Sequence, residues 1–245
     1  MPTNTESGHA KNVATFANLI SFLSGYGTAY NPSNKQIQLA ALQTQHQTAS
    51  DNLANINDLL SNWQIAVNDR EEAFDPLKKL ATRIINSLSA SGVSDLVVED
   101  AKTSARKLQG KRATPKPKED PTKPEGEKDK TISASQMSFD NRIENFDKLI
   151  SLLATQGDYN PNETDLKLET LNDQLNDLRN KNTRVQDAYT TLSNARITRD
   201  QLLYNAETGL VKTAGDIKKY VKSVFGADSP QYRQISKLRF IGRKI

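Results

Sequence analysis

The 245-residue sequence contains no cysteine, which excludes disulfides, thiolate metal sites and a thiol nucleophile. Histidine occurs only as His9, expected in a frayed N-terminus, and as His46, on a predicted helix seam, so neither makes a good general base. Aromatic residues make up 6% and hydrophobic residues 36% of the chain, which is typical of slender helical bundles. Because no apolar run reaches the roughly 20 residues of a membrane-spanning helix, no transmembrane segment is predicted and a cytoplasmic location is expected.

Motifs that would carry catalysis are also missing. The sequence contains no Gly-x-Ser-x-Gly nucleophile elbow and no Gly-rich phosphate loop. Four carboxylates, Asp165, Glu169, Asp173 and Asp177, follow one another at four-residue spacing, which could align oxygen ligands for a cation on one helix. A solvated face near a helix N-terminus, where negative charge is favoured, explains them better. We therefore predict a non-enzymatic protein with no catalytic residues, no metal site and no cofactor.

What the sequence does contain is an internal duplication. The motif Phe-Ala-Asn-Leu-Ile-Ser-Phe-Leu at 16–23 is followed 130 residues later by Phe-Asp-Lys-Leu-Ile-Ser-Leu-Leu at 146–153. The triplet Tyr-Asn-Pro at 30–32 returns 129 residues later at 159–161. Two copies of one pattern predict two copies of one structural unit.

These signals predict an all-α protein of two tandem, internally duplicated antiparallel helical bundles with three to four helices each. The first bundle is expected at 1–109, a flexible linker rich in Pro, Lys and Glu at 110–132, and the second bundle at 133–245. In each copy, apolar residues recur at the three-then-four spacing of one helix face. This stripe comprises Leu39, Leu42, His46, Ala49, Leu53, Ile56, Leu60 and Trp63, matched by Leu168, Leu171, Leu175, Leu178, Asn182, Val185, Tyr189 and Leu192.

The apolar stripe is interrupted near Asp69 in the first copy and near Thr198 in the second, and two structures are compatible with the sequence there. Asp69 and Thr198 could each cap a new helix and so form a hinge, or one helix could run on through them. Pro76 favours a helix start, where proline is tolerated. Beyond the interruption the copies are paired at an unchanged offset of 129: Leu77, Ala81, Ile84 and Leu88 with Ala206, Leu210, Thr213 and Ile217. A short last helix is expected at 94–108 and from 229 to about 240, followed by a free tail at 241–245.

Arg70 and Arg199 place an always-charged group on the apolar stripe of both copies. Functionally, they are candidate contacts for a carboxylate or phosphate of a partner. The structural alternative is that they mark where the stripe turns out to solvent, or pair with a nearby acid such as Asp69 or Asp200.

The net charge of +4 conceals two basic segments. Segment 102–118 contains seven basic residues and no acidic one, and segment 216–245 contains eight basic and two acidic residues. Aromatic residues interleave with the second segment, which is compatible with binding of nucleic acid or an anionic membrane surface. Alternatively, the basic segments dock on the acidic body or on a partner protein, and the rings belong to the core. The candidate contacts there are Lys218, Lys219, Lys222, Arg233, Lys237 and Arg239.

The stretch from Lys218 to Ser236 reads Lys-Lys-Tyr-Val-Lys-Ser-Val-Phe-Gly-Ala-Asp-Ser-Pro-Gln-Tyr-Arg-Gln-Ile-Ser. It resembles the C-terminal part of uncharacterised all-helical bacterial proteins. The resemblance covers under a tenth of the chain, and it implies a bacterial cytoplasmic origin but no activity and no site residues.

The function predicted from these features is that of a non-enzymatic helical scaffold or protein–protein interaction module that presents two related bundle surfaces. A protein partner or self-association is expected, since two similar surfaces can bind two copies of a partner. The alternative is binding of nucleic acid or another anionic surface through the basic segments 102–118 and 216–245.

Overall fold

A computed structural model describes residues 5–110 and 137–243, and these residues form helices and connecting turns with no strand among them. The α-helices run over Thr5–Gly25 (α1), Leu39–Phe74 (α2), Leu77–Ala90 (α3), Asp95–Gln109 (α4), Phe139–Ala154 (α5), Leu168–Tyr204 (α6), Leu210–Phe225 (α7) and Pro230–Ser236 (α8). The all-α prediction is thereby confirmed. No helix in this part of the chain is long and apolar enough to cross a bilayer. The predicted linker lies outside the described residues except for Gly110.

The ends of several helices follow from local sequence. Gly110 ends α4 in the left-handed conformation, at φ 68°, that glycine adopts without strain. Ser138 caps α5 by accepting a hydrogen bond from the amide three residues later at 3.2 Å. Ser229 caps α8 in the same way, with Pro230 at the first helical position. The predicted start of the last helix is therefore confirmed, but α8 ends at Ser236 rather than near residue 240.

The two long helices, α2 and α6, are unbroken over 36 and 37 residues. The hinge considered at Asp69 and Thr198 is absent, because both residues lie inside these helices. The chain turns later, at residues 75–76 before α3 and at residues 205–209 before α7. Pro76 stands directly before the first residue of α3, so the helix start that it predicted is confirmed.

The longer turn before α7 changes the register between the two copies. From there on, the buried positions correspond at an offset of 133, so the predicted offset of 129 was wrong for this part of the chain. The matching buried pairs are Leu77 and Leu210, Ala81 and Ala214, Ile84 and Ile217, and Leu88 and Val221. Four extra residues in one copy therefore leave the apolar face of the following helix unchanged.

Contacts between residues divide the chain into two compact units. Unit 1 comprises Met1–Trp63 and Ala188–Ile245, and unit 2 comprises Gln64–Asp187. Unit 1 therefore contains α1, α7, α8 and one part each of α2 and α6, while unit 2 contains α3, α4, α5 and the remaining parts. These boundaries differ from the predicted domains at 1–109 and 133–245, because each unit combines helices of both copies.

Within each unit, the first helix of one copy packs against the last helices of the other. In unit 1, α1 packs against α7 and α8, and Phe16 shares one buried cluster with Ile217. In unit 2, α5 packs against α4, and Phe146 shares one buried cluster with Ile84. Because α2 is unbroken over 36 residues, about 54 Å, its first part contributes Leu42 to the core of unit 1 and its last residue, Phe74, belongs to the core of unit 2.

Candidate functional site

Arg70, a predicted partner contact, lies half-buried in the helix packing of unit 2. Its guanidinium carbon is 3.8 Å from the centroid of the Phe139 ring, and its Nη1 donates to Asn182 Oδ1 at 3.1 Å. Asn182 Nδ2 in turn donates to Asp140 Oδ1 at 2.7 Å. The cation–π contact and the hydrogen bond hold the charge against residues of the second copy, which explains how an arginine fits on the stripe without breaking α2.

Arg199, the matching residue in unit 1, is only 4% exposed. Its Nε and Nη2 donate to Asp200 Oδ1 at 2.9 and 2.8 Å. Arg243 lies 3.8 Å from the other oxygen of the same carboxylate. The pairing with a neighbouring acid that the sequence suggested is therefore present for Arg199, and its guanidinium is turned into unit 1 rather than toward solvent.

The predicted contacts of the second basic segment all lie in unit 1, and we call them the basic face: Lys218, Lys219, Lys222, Arg233, Lys237 and Arg239. Five are exposed, and Lys218 is half-buried. The first three stand on α7, whose apolar residues are buried in the core of unit 1. The amphipathic pattern of α7 therefore turns Lys219 and Lys222 to solvent.

Lys218 connects α7 to the segment that follows α8. Its Nζ donates to the Leu238 carbonyl oxygen at 2.5 Å and lies 5.6 Å from the centroid of the Phe240 ring. Partial burial lowers the pKa of Lys218 from its usual value of 10.5 because desolvation disfavours the ammonium form. Lys218 is thus a structural anchor as well as a candidate contact.

The aromatic residues between these cations pack inside unit 1. Tyr220 packs edge-on against another tyrosine ring at 5.4 Å between centroids, and Phe225 packs against Tyr26 at 5.4 Å. Phe240 meets the Phe16 ring at 6.5 Å, and Tyr232 lies 5.8 Å below the Lys222 ammonium. The rings therefore belong to the core and its margin, as the docking alternative predicted, and only the charged ends face outward.

A cavity of about 380 Å³ lies between α7 and the segment after α8 in unit 1. Lys218 and Arg239 both line it, together with Ser236 and the rings and aliphatic groups of neighbouring residues. Two cations beside one cavity can donate hydrogen bonds to the oxygens of a single carboxylate or phosphate group. Tertiary structure thus brings together two predicted contacts that are 21 positions apart in the chain.

Charge differs strongly between the two units. In the described residues, unit 1 has 12 Lys and Arg against 7 Asp and Glu, whereas unit 2 has 13 against 17. Of the first basic segment, residues 111–118 lie outside the described part, and Lys102 pairs with Glu99 at 2.7 Å. The described residues of unit 1 therefore have a net positive charge and those of unit 2 a net negative charge.

Polar residues at the start of α1 form a cluster that the sequence analysis missed. Asn12 donates through Nδ2 to the Ile241 carbonyl oxygen and accepts through Oδ1 from the Ile241 amide, both at 2.9 Å. His9 is 3% exposed, and its Nδ1 lies 2.6 Å from the Tyr204 hydroxyl oxygen. The predictions of a frayed terminus at His9 and of a free tail from Ile241 were therefore wrong, because His9 contacts Tyr204 and Asn12 binds the backbone of Ile241. Residues 244–245 of the predicted tail lie outside the described part of the chain.

Two of the four carboxylates that could have aligned a cation take part in ion pairs. Asp165 pairs with Arg83, and Asp177 lies 3.2 Å from Lys181 Nζ. Among the residues that the structure describes, no group of three or more His, Asp or Glu side chains is arranged to hold a metal ion. These acids therefore act as ordinary surface charges on their helix.

The local geometry thus gives one candidate site, the basic face of unit 1, while the predicted arginines of the stripes serve helix packing. Comparison of the chain with protein-family models, with curated proteins and with solved structures gives no match.

Proposed function

We propose that this chain is a non-enzymatic interaction module: its two related helical units form a scaffold, and the basic face of unit 1 binds an acidic surface of a partner protein. The observation that carries the proposal is the comparison of α7 with α3. The two helices bury matching apolar positions on one face, yet where α7 has exposed lysines at 219 and 222, α3 has the exposed residues Asn86 and Ser89. Because α3 packs without a lysine at either position, the packing of the helix does not require these two lysines, and binding gives a reason for them.

The chemistry of the basic face suits recognition of another charged surface. Single exposed ion pairs contribute about 0–1 kcal/mol each, so binding requires several cations acting together. Complementary charge mainly raises the association rate and selects the partner. The cavity beside Lys218 and Arg239 adds a place where one carboxylate can be bound by two cations.

Nucleic-acid binding is a second candidate function, favoured by the same cations through contacts with phosphates. It has weaker support from the described residues, because Tyr220, Phe225 and Phe240 pack against other rings and do not offer free faces for base stacking. The two candidate functions can be distinguished by comparing the affinity of the chain for an acidic peptide with its affinity for a polyphosphate of equal charge.

The test is a fluorescence anisotropy titration of the full chain with two labelled probes of equal charge, a glutamate-rich peptide and a single-stranded oligonucleotide. The basic-face variant replaces Lys219, Lys222, Arg233, Lys237 and Arg239 with glutamine and keeps Lys218, which anchors the C-terminal segment. The matched control replaces five exposed lysines of unit 2 with glutamine: Lys78, Lys79, Lys107, Lys148 and Lys167.

The proposal predicts that the peptide binds, that affinity falls with added salt, and that the basic-face variant loses about tenfold or more in affinity. The unit 2 control should stay within about twofold of the original chain. Tighter binding of the oligonucleotide than of the peptide at equal salt would favour the second candidate. Equal losses in both variants, or no binding of either probe, would overturn the proposed role of the basic face.

A further inference from the structure

The cavity of unit 1 that Lys218 and Arg239 line combines positive charge with an apolar wall. Its volume of about 380 Å³ falls in the range of about 300–1,000 Å³ that is typical of ligand sites. The apolar wall consists of Val211, Leu238 and Phe240. None of the residues that line the cavity is buried, so its surface is open to a ligand.

A glycine helps to keep this cavity open. Gly215 lines the cavity from the middle of α7, where glycine is less favourable than alanine. A Cβ atom at this position would meet no other part of the chain within 4 Å. Because Gly215 forms part of the lining, a large side chain there would occupy space that is now free.

In unit 2 the matching positions are covered by a side chain. At the offset of 133, Val211 and Gly215 correspond to Lys78 and Thr82. There Gln109 Nε2 donates to Thr82 Oγ1 at 2.8 Å and to the Lys78 carbonyl oxygen at 3.2 Å. Gln109 is the last residue of α4, which has 15 residues, whereas α8 has only 7. The shared fold therefore does not require an open cavity beside this helix, and unit 1 has one because its last helix is short.

Neither cation of the cavity has a carboxylate partner among the described residues. The ion pairs of unit 1 involve other cations, namely Arg199, Lys212, Lys219 and Arg243. The Lys218 ammonium has three donors, of which one is given to the Leu238 carbonyl oxygen. Partial burial without a countercharge lowers the pKa of Lys218. An anion that enters the cavity therefore finds free donors and two cations without a partner.

We propose that this cavity binds the last residue of a partner protein, one with an aliphatic side chain and a free carboxylate. The inference rests on the function proposed above and names the part of the acidic partner that enters the cavity. The carboxylate accepts hydrogen bonds from Lys218 and Arg239, and the side chain packs against Val211 and Leu238.

The combination of charge and apolar wall selects this ligand. In a protein, only the last residue of a chain carries a carboxylate and an aliphatic side chain on the same carbon atom. Aspartate, glutamate and the phosphates of a nucleic acid bring negative charge without such an apolar group. Binding of a C-terminal carboxylate is a recurring mode of peptide recognition.

The experiment is an NMR titration of the full ¹⁵N-labelled chain with acetyl-Gly-Gly-Leu, which ends in a free carboxylate, and with three comparison ligands. These are the same peptide as its C-terminal amide, acetyl-Gly-Asp-Gly amide with an internal carboxylate, and 4-methylpentanoate, a small acid with the same branched end. The proposal predicts saturable shifts at the amides of Gly215, Leu238 and Phe240 with the first peptide, below about 10 mM. The leucine amide and the aspartate peptide should bind about tenfold more weakly, because one lacks the charge and the other the apolar group.

Two kinds of outcome would overturn the proposal. Absence of saturable shifts, or equal affinity for the free acid and its amide or for the aspartate peptide, would show that the cavity does not recognise a chain end. Binding of 4-methylpentanoate as tight as that of the peptide would assign the cavity to a small acid and not to a partner protein.

Two pairs of variants locate the binding in the cavity. Gly215→Leu should fill the cavity and weaken binding of the leucine peptide by about tenfold, whereas Ser223→Leu, at an exposed position of the same helix, should stay within about twofold. Arg239→Gln should weaken binding by about tenfold, and Lys237→Gln, an exposed cation that does not line the cavity, should stay within about twofold. Unchanged binding in Gly215→Leu would contradict the assignment. Should that variant fail to fold, the second pair and the ligand comparison decide the question.

Failure of this assignment can be told apart from failure of the proposed function. If the glutamate-rich peptide binds the basic face and the leucine peptide does not saturate, only the assignment of the cavity fails. If the leucine peptide binds as predicted but the basic-face variant binds the glutamate-rich peptide as well as the original chain does, the proposed role of the basic face fails and the cavity is still a site for a chain end.

Discussion

Helices α3 in unit 2 and α7 in unit 1 perform the same structural task with different surfaces. Most of their buried positions match at an offset of 133, from Leu77 and Leu210 to Leu88 and Val221, although the buried Ile85 corresponds to the half-buried Lys218. The other positions differ more, since Arg83 corresponds to Asp216 and Asn86 to Lys219. The comparison teaches that packing constrains one face of the helix and leaves the charge of the other faces free to differ between the units.

The first helices of the two copies differ in a similar way. Arg142 in α5 and Asn12 in α1 correspond at the offset of 130, and both are buried polar residues. Arg142 Nη2 donates to the Phe74 carbonyl oxygen at the end of α2 at 2.5 Å, whereas Asn12 binds the backbone of Ile241. The position keeps a hydrogen-bonding role in both units, but what it binds depends on which segment passes nearby.

The largest expected effect tests whether the two cores are equivalent. Phe16 and Phe146 correspond in the repeat and are 0% and 1% exposed. Replacing either with alanine should lower the free energy of unfolding by about 3–5 kcal/mol, because each substitution removes a buried ring and leaves a cavity. Hydrogen exchange should place the loss in unit 1 for Phe16→Ala and in unit 2 for Phe146→Ala. A loss confined to the same unit in both variants would contradict the division of the chain into these units.

The next largest effect on stability distinguishes the roles of the two buried polar residues, Arg142 and Asn12. Arg142→Met should lower the free energy of unfolding by about 1–3 kcal/mol, because the carbonyl oxygen at the end of α2 loses its buried donor. Asn12→Ala should have a similar cost and should also release the C-terminal segment. Limited trypsin digestion is the measurement: cleavage after Arg239 should accelerate in Asn12→Ala and not in Arg142→Met. Equal cleavage in both variants would show that Asn12 does not hold the segment.

Two glycines of the second copy should respond with opposite signs. A Cβ at Gly209 would lie 2.5 Å from the Asn205 backbone nitrogen, so Gly209→Ala should destabilise by about 1–3 kcal/mol. A Cβ at Gly215, inside α7, meets no atom within 4 Å, so Gly215→Ala should stabilise by about 0.5–1 kcal/mol through helix propensity. Urea unfolding of both variants checks the difference. A destabilising Gly215→Ala would mean that α7 lacks the open surface described.

The smallest effect concerns Arg83 and Asp216, which match at the offset of 133 but carry opposite charges. The hydrogen bond from Arg83 holds the pKa of Asp165 below its usual value of 3.8, so the pair stabilises the fold above that value and is lost as the pH falls through the lower folded pKa. In Arg83→Gln, the pKa of Asp165 should return toward 3.8. The pKa of Asp216, lowered by Lys212 and Lys219, should stay unchanged. Carboxyl NMR titration measures both, and a shift of Asp216 would contradict the separate roles of the two positions.

Much of the helix plan was predictable because it depends on local periodicity and local capping. The stripe residues Leu42, Ala49 and Ile56 are buried as predicted, although Tyr189 at the matching stripe of α6 is 55% exposed. Proline at 76 and serine at 229 mark helix starts correctly because their effects act within one turn. The sequence left open whether the chain turns at Asp69, because Arg70 is held there by Phe139, a residue of the other copy that no local pattern identifies.

The residues of the candidate site could be predicted from the sequence, but their arrangement in space could not. The six cations of the basic face were named from charge alone, yet only the packing of α7 with the C-terminal segment shows that Lys218 and Arg239 share a cavity and that the rings face inward.

By itself, the sequence determined that this protein is helical, which face of most helices is apolar and where α3, α4 and α8 begin, since these properties depend on residues within a few turns of one another. The tertiary structure decided which helices meet. The two copies carry nearly interchangeable apolar faces, so hydrophobic burial alone is satisfied by pairing within a copy or between copies. Pairing between copies is what the structure has, because α2 and α6 run without a break from one unit into the other before the chain turns into α3 and α7.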